Sequence, residues 1–341
     1  CRDALYNAVK DEGFNMHALT MLFDTKADHS LSSADARIYL KAFLATRSIS
    51  HLPDFAECLL TKVRADDKQA FINNVCGVRE FPVEMRAAFF RLVDGITHVS
   101  KEMMPAGFRN NLVSLDIPEG VTSIQRDAFE YCDNLSAIAF PDALQEIGSG
   151  AFEGCSKLKY INLPDKLQRL DIGAFDKCTS LKRVDLPDNL VEIGRSAFAH
   201  CALDRIILPS SLQLIDQFVF YKCENLKRIK WPKNLKEIGD YAFSGCTALQ
   251  SIELPDGLKE IGDYAFYGCI SLNHIELPNC LELIDESAFE GCRSLQLVEL
   301  PDGLNRIGLN AFKGCTALKE IVAPLSFMVE DADYWRSVGK P

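Results

Sequence analysis

The sequence predicts an α+β chain: a small helical domain followed by a solenoid of about ten coils, each of about 22–25 residues, sharing a parallel β-ladder. Three observations predict it. Proline recurs at Pro118, Pro141, Pro164, Pro187, Pro209, Pro232, Pro255, Pro278, Pro301 and Pro324, every step being 23 residues except the 22-residue step from Pro187 to Pro209. Phenylalanine (Phe129 to Phe312) and cysteine (Cys132 to Cys315) keep the same step, nine copies each. Residues 1–93 lack the repeat.

The unit Pro255–Leu277, PDGLKEIGDYAFYGCISLNHIEL, shows what one coil must do. Leu272, Ile275 and Leu277 alternate with polar residues and read as a short strand. Pro278, lacking an N–H, stops it. Leu258 and Ile261 return a second short segment to the core. Gly262 is expected to allow a tight bend, and Asp263 to Cys269 reads as one helical or 3₁₀ turn with Ala265 and Phe266 inward. One unit cannot bury this apolar set, whereas stacked units share a continuous core, with each Phe on its neighbour's Phe and each Cys on its neighbour's Cys. Leu203 follows Cys201 one residue early, so the 22-residue copy is expected to be locally kinked.

The Leu-Pro step (Leu254-Pro255, Leu277-Pro278), the Ile-Gly step (Ile238-Gly239, Ile261-Gly262) and the Ala-Phe-x-x-Cys run (Ala242 to Cys246, Ala265 to Cys269) resemble the BspA-like leucine-rich repeat family over about 94–324. The resemblance implies a repeat framework reused as a binding surface on surface adhesins and secreted proteins. Val219 departs from the pattern at Ala, and Asp171, Asp216 and Asp285 depart at Gly.

The chain divides into a helical N-terminal domain (1–93), the solenoid (94–324) and a closing segment (325–341). In the first, apolar spacing and caps place helices over residues 4–12, 16–23, 33–46, 55–63, 67–75 and 85–93. Such a domain is expected to cover the open end of the solenoid, where a bare first coil would expose core. Residues 94–118 form an atypical first repeat without the Cys. Residues 330–338 read as a capping helix stopped by Gly339.

Composition excludes several function classes. The net charge is −11, and residues 1–93 carry 12 basic and 12 acidic side chains, so the acidic excess lies in the repeats and tail. That argues against general nucleic-acid binding. No run of about 20 apolar residues is present to span a bilayer. The chain opens at Cys1 rather than Met, which leaves room for a removed leader, a trimmed start or a lipid-modified cysteine. Nine of the thirteen cysteines belong to the repeat column, where Cys acts as a small buried apolar residue, so free thiols are expected. Cys58, Cys76 and Cys280 lack the spacing of a zinc site.

Residues 24–35, DTKADHSLSSAD, resemble an EF-hand loop, with Asp24, Asp28, Ser30, Ser32 and Asp35 at ligand positions. Lys26 stands where an oxygen ligand belongs, His29 replaces the turn Gly, and Asp35 is shorter than the bidentate Glu. A degenerate helix-loop-helix kept for packing is therefore favoured over Ca²⁺ binding, and no cofactor is expected. The six histidines (His17, His29, His51, His98, His200, His274) lie in no nucleophile or metal motif.

The expected functional surface is the strand face, taken as concave. Residues flanking the Ile of each L-x-x-I-x-L strand point outward and tile it. The candidates are Tyr160, Arg183, Arg205, Arg228, Lys230, Glu253, His274, Glu276 and Glu299, basic in the middle and acidic toward the C-terminus. Like charges on adjacent strands repel. The reading is a non-enzymatic recognition module, acting as a single copy, that docks a protein of opposite charge pattern. A bacterial or protist scaffold, intracellular or host-delivered, is favoured over a cell-surface adhesin. Ca²⁺ binding or an enzymatic activity in residues 1–93 is a weaker alternative.

Overall fold

A computed structural model describes residues 96–103 and 112–324. The helices expected in residues 1–93, the EF-hand-like segment with Asp24, Asp28, Ser30, Ser32 and Asp35, and the closing helix lie outside the described residues.

Each coil contributes two strands. The two-residue strands are β1 (His98–Val99), β3 (Ser123–Ile124), β5 (Glu146–Ile147), β7 (Arg169–Leu170), β9 (Glu192–Ile193), β11 (Leu214–Ile215), β13 (Glu237–Ile238), β15 (Glu260–Ile261), β17 (Leu283–Ile284) and β19 (Arg306–Ile307). The three-residue strands are β2 (Ser114–Asp116), β4 (Ala137–Ala139), β6 (Tyr160–Asn162), β8 (Arg183–Asp185), β10 (Arg205–Ile207), β12 (Arg228–Lys230), β14 (Ser251–Glu253), β16 (His274–Glu276), β18 (Leu297–Glu299) and β20 (Glu320–Val322). All described pairings are parallel, as a stack of one-way coils requires.

The segment expected to be a mere return to the core is the more continuous ladder. The two-residue strands form two five-stranded sheets, β1-β3-β5-β7-β9 and β11-β13-β15-β17-β19. The three-residue strands pair only two by two: β2-β4, β6-β8, β10-β12, β14-β16 and β18-β20. The long ladder is interrupted between β9 and β11, across the 22-residue copy. Most coils close a turn there, with the N–H of Leu226, for example, donating to the Cys223 carbonyl at 3.0 Å. With one residue fewer, Cys201-Ala202-Leu203 has no room for that bond, although Leu203 still reaches the core.

The local chemistry of each coil explains its path. Proline starts a turn because its φ is already set, and the N–H three residues later closes it, as from Leu258 to the Pro255 carbonyl at 3.0 Å. The Ala-Phe run is not a helical turn. Alternate N–H groups point to the next coil, Tyr241 to Asp263, Phe243 to Ala265 and Gly245 to Tyr267 at 2.8, 2.8 and 2.7 Å. The intervening ones fold back three residues, Ala242 to Gly239 and Ser244 to Tyr241. This zigzag needs left-handed residues, at Tyr241 (φ 56°) and Gly245 (φ 76°), which no α-helix contains. The bend therefore falls on the Gly before Cys, which needs positive φ. Gly262 serves a different end: a Cβ there would lie 3.0 Å from the Asp240 backbone nitrogen, so it permits close approach of coils.

The core is one continuous column of apolar side chains. Rings of Phe129, Phe152, Phe175, Phe198, Phe220, Phe243, Phe266, Phe289 and Phe312 stack with centroids 4.9–5.9 Å apart, the widest step being Phe198–Phe220 at the short copy. All ten described cysteines are free. The column thiols are more than apolar filler. Cys246 Sγ donates to the Phe220 carbonyl at 3.3 Å, while that carbonyl also accepts the Cys223 N–H at 3.1 Å. The same bond recurs in every coil from Cys155 to Cys315. Cysteine thus supplies a small apolar body and a donor for the carbonyl's second lone pair. Burial pushes the thiols of Cys223 and Cys315 up to about 12.

Thiolate is the reactive form, so the column is expected to be inert in the folded protein. With an aromatic disulfide reagent, Cys280, the one exposed cysteine among the described ten, is expected to react quickly. The nine column cysteines should react only as fast as the chain unfolds. Rapid native-state labelling of two or more column cysteines, located by peptide mass, would contradict this packing.

Candidate functional site

The three-residue ladder carries the charged columns. Its middle residue faces the core and the two flanking ones face solvent, so period-two alternation alone sets the side-chain direction. Tyr160, Arg183, Arg205, Arg228, Lys230, Glu253, His274, Glu276 and Glu299 are all exposed. The register brings Tyr160 beside Arg183, Arg205 beside Arg228, Ile207 beside Lys230, Ser251 beside His274 and Glu253 beside Glu276.

At the N-terminal end the polar groups satisfy one another. Arg183 grips Asp185 with two bonds of 3.0 Å, and the Tyr160 hydroxyl donates to the same carboxylate at 2.7 Å. The Arg183 guanidinium also lies 5.4 Å from the centre of the Tyr160 ring. Partial burial pushes the Asp185 carboxyl up. The hydrogen bonds from Arg183 and Tyr160, with the charges of Arg183 and Arg205, outweigh it and hold the carboxyl below its usual range. Arg183 is therefore a neutralised charge rather than a free one.

The next strands differ. Among the described residues no ion pair forms to Arg205, Arg228 or Lys230, and none joins Arg228 to Glu253. Beyond them Glu253 and Glu276 stand in register, and His274 Nε2 approaches Glu276 at 3.2 Å. Glu299 lies one coil further on.

Along the two-residue ladder and the residues beside it, opposite signs pair across coils. Arg169 bonds Glu146, Lys259 bonds Glu282 at 2.7 Å, and Arg306 bonds Asp285 at 2.8 Å. Its one like-charged register is Glu237 beside Glu260, and the Glu260 carboxyl is pushed up by burial and by the Glu237 charge. Only the three-residue ladder arranges like charges into consecutive blocks of opposite sign.

A second feature, half-buried, escaped the sequence reading. Phe218, Tyr241 and Tyr264 stack face to face on the outside of the turn run, centroids 4.7 Å apart at each step. Tyr221 and Tyr267 meet them edge-on, and Arg195 lies over Phe218 at 4.9 Å. All three stacked residues have positive φ, where other coils use Gly150 and Gly173. The duplicated Gly-Asp-Tyr-Ala-Phe string was the available signal.

Of the described histidines, His200 bonds Asp176 at 3.0 Å and His274 bonds Glu276, but neither reaches a nucleophile. No group of three or more His, Cys, Asp or Glu among the described residues could hold a metal ion. No described helix is long and apolar enough to cross a membrane.

A stack of near-identical coils with two parallel ladders and a Phe–Cys spine defines a leucine-rich repeat solenoid, a class whose members present side chains on a fixed lattice. The model of the BspA type leucine-rich repeat region, in six copies, matches residues 106–227 and 213–332, and the chain belongs to that family. Among solved structures, it is similar to a leucine-rich repeat protein from Bacteroides ovatus: 33% identity and a TM-score of 0.56, over 63% of this chain and 64% of that one. The chain thus spans just under two-thirds of that protein's length. A leucine-rich cell surface protein from Faecalibacterium prausnitzii matches at 22% identity and a TM-score of 0.40, over 72% of this chain and 86% of that one. The T. pallidum leucine-rich repeat protein matches at 27% identity and a TM-score of 0.36, over 67% and 84%. The curated proteins give no match.

Proposed function

We propose that this chain is a non-enzymatic protein-recognition module whose three-residue ladder docks a partner of opposite charge pattern. One observation carries the reading: Arg205 opposes Arg228, and Glu253 opposes Glu276, with no counter-ion supplied to either arginine by the described residues. Directly opposed like charges destabilise a parallel ladder, and the neighbouring face shows that this repeat can pair opposite signs across coils. A partner carrying acidic groups over the first block and basic groups over the second relieves both repulsions at once. Such complementarity chiefly sets on-rate and specificity, so binding should weaken steeply with salt.

The test is affinity capture with the full chain and with a variant carrying Arg205→Glu, Arg228→Glu and Lys230→Glu. All three positions are exposed, so melting should be unchanged or slightly improved. A captured protein should lose about tenfold or more in affinity to the variant. Equal capture by both forms would remove this face from the recognition surface.

A further inference from the structure

Resting on that reading, we infer that the bipolar face is self-complementary and that its occupant is a second, antiparallel copy of this chain. From β8 onward the charged strands fall into a basic and an acidic block about a single midpoint, the acidic one running on through Glu320 of β20. β8, β10 and β12 carry Arg183, Arg205, Arg228 and Lys230. β14, β16 and β18 carry Glu253, Glu276 and Glu299. Apart from Asp185 on β8, which neutralises Arg183, the signs run unbroken and change once, between β12 and β14. A two-fold axis along the strand direction at that midpoint reverses the order of coils. It sets β12 against the partner's β14, β10 against its β16 and β8 against its β18.

Both copies carry their side chains at one pitch of about 4.8 Å, so six coils meet six coils over about 29 Å without accumulating mismatch. Lys230 then meets Glu253 across the axis, and Arg205 and Arg228 reach Glu253 and Glu276 diagonally. Asp185, the one acidic side chain within the basic block, is already held by Arg183 and Tyr160. A parallel pairing would instead set basic on basic and acidic on acidic. An isologous contact of this kind closes at two copies, because each uses the same patch.

Two exposed apolar residues lie within the strip, Ile207 over the partner's Glu276 and Leu297 over the partner's Arg183. Ile207 is 56% exposed inside the basic block and Leu297 is 41% exposed inside the acidic block, so each half offers an aliphatic group among its charges. The strip is narrow, and falls short of the about 800 Å² per partner of a standard interface. The pair is therefore a low-affinity, salt-sensitive one that forms at high local concentration.

Sedimentation of the full chain across a range of concentrations, at about 0.05 M and about 0.5 M salt, is the first measurement. Dimer is expected at low salt, weakened by about tenfold or more at high salt. Two variants follow: an all-acidic face (Arg205→Glu, Arg228→Glu, Lys230→Glu) and an all-basic face (Glu253→Lys, Glu276→Lys, Glu299→Lys). Each alone should be monomeric, and an equimolar mixture should form a heterodimer at least as tight as the wild-type pair. Single reversals, Lys230→Glu and Glu253→Lys, repeat the mixing test should a triple variant fold poorly. A wild-type chain that stays monomeric at low salt, a variant that dimerises alone as wild type does, or a mixture that stays apart each overturns the second-copy proposal. If such a chain still captures a foreign protein through Arg205 and Arg228, the recognition face stands and only its occupant changes.

Discussion

Truncating Phe243 to alanine is expected to cost about 3–5 kcal/mol in unfolding free energy, measured by urea denaturation. The ring is fully buried, stacked between Phe220 at 5.2 Å and Phe266 at 5.4 Å, with Trp231 against it edge-on at 5.3 Å. Its removal leaves a cavity that cannot collapse. The backbone on either side is tied to the next coil by the bond from Phe243 to Ala265 and to the previous one by the bond from Phe220 to Ala242. In a solenoid each coil contacts only its neighbours, so a weak coil in the middle also weakens the coupling between the two halves. The transition should broaden or split as well as shift. A loss below about 1 kcal/mol with an unchanged slope would mean that the ring column is not what couples the coils.

Gly308→Ala is expected to cost about 3 kcal/mol, the upper range for overpacking. A Cβ at Gly308 would sit 2.4 Å from the Glu286 nitrogen and 2.5 Å from the Asp285 carbonyl carbon, both main-chain atoms that cannot rotate away. The column itself shows the constraint. Asp171, Asp216 and Asp285 carry side chains at this position, and each is followed one coil later by a glycine, Gly194, Gly239 and Gly308. From Gln125 to Gly308 no two successive coils both carry a Cβ there; only the atypical first repeat, with Ser100 before Gln125, departs from this among the described residues. Asp285→Gly in the same chain should therefore recover part of the loss, because a glycine in the lower coil frees its backbone to shift. Thermal melting of the two variants checks this. An alanine at Gly308 that melts with wild type would show that the coils have slack between them.

Much of the molecule was legible in the residues. The constant step from Pro118 to Pro324 determined which residue stacks on which, because coils stacked in register bring residues one period apart together. It therefore determined the Phe and Cys columns, and it identified Arg205, Arg228, Glu253 and Glu276 as outward neighbours. Period-two alternation within L-x-x-I-x-L did the rest, since successive side chains on a strand face opposite ways.

Only the tertiary structure decided how the coils are tied together. Backbone N–H and C=O groups are the same in every residue, so no side-chain pattern says whether the Phe243 N–H turns back or crosses to Ala265. Nor could it say that the Glu-Ile ladder runs through five strands while the charged ladder pairs by twos. The Cys thiol acquires its acceptor only when the Phe carbonyl of the previous coil is brought beneath it. Arg183 loses its free charge only when Asp185 and Tyr160 converge on one point. Each depends on distances of a few ångströms between coils, set by the packing of the Phe column rather than by the identity of the groups themselves.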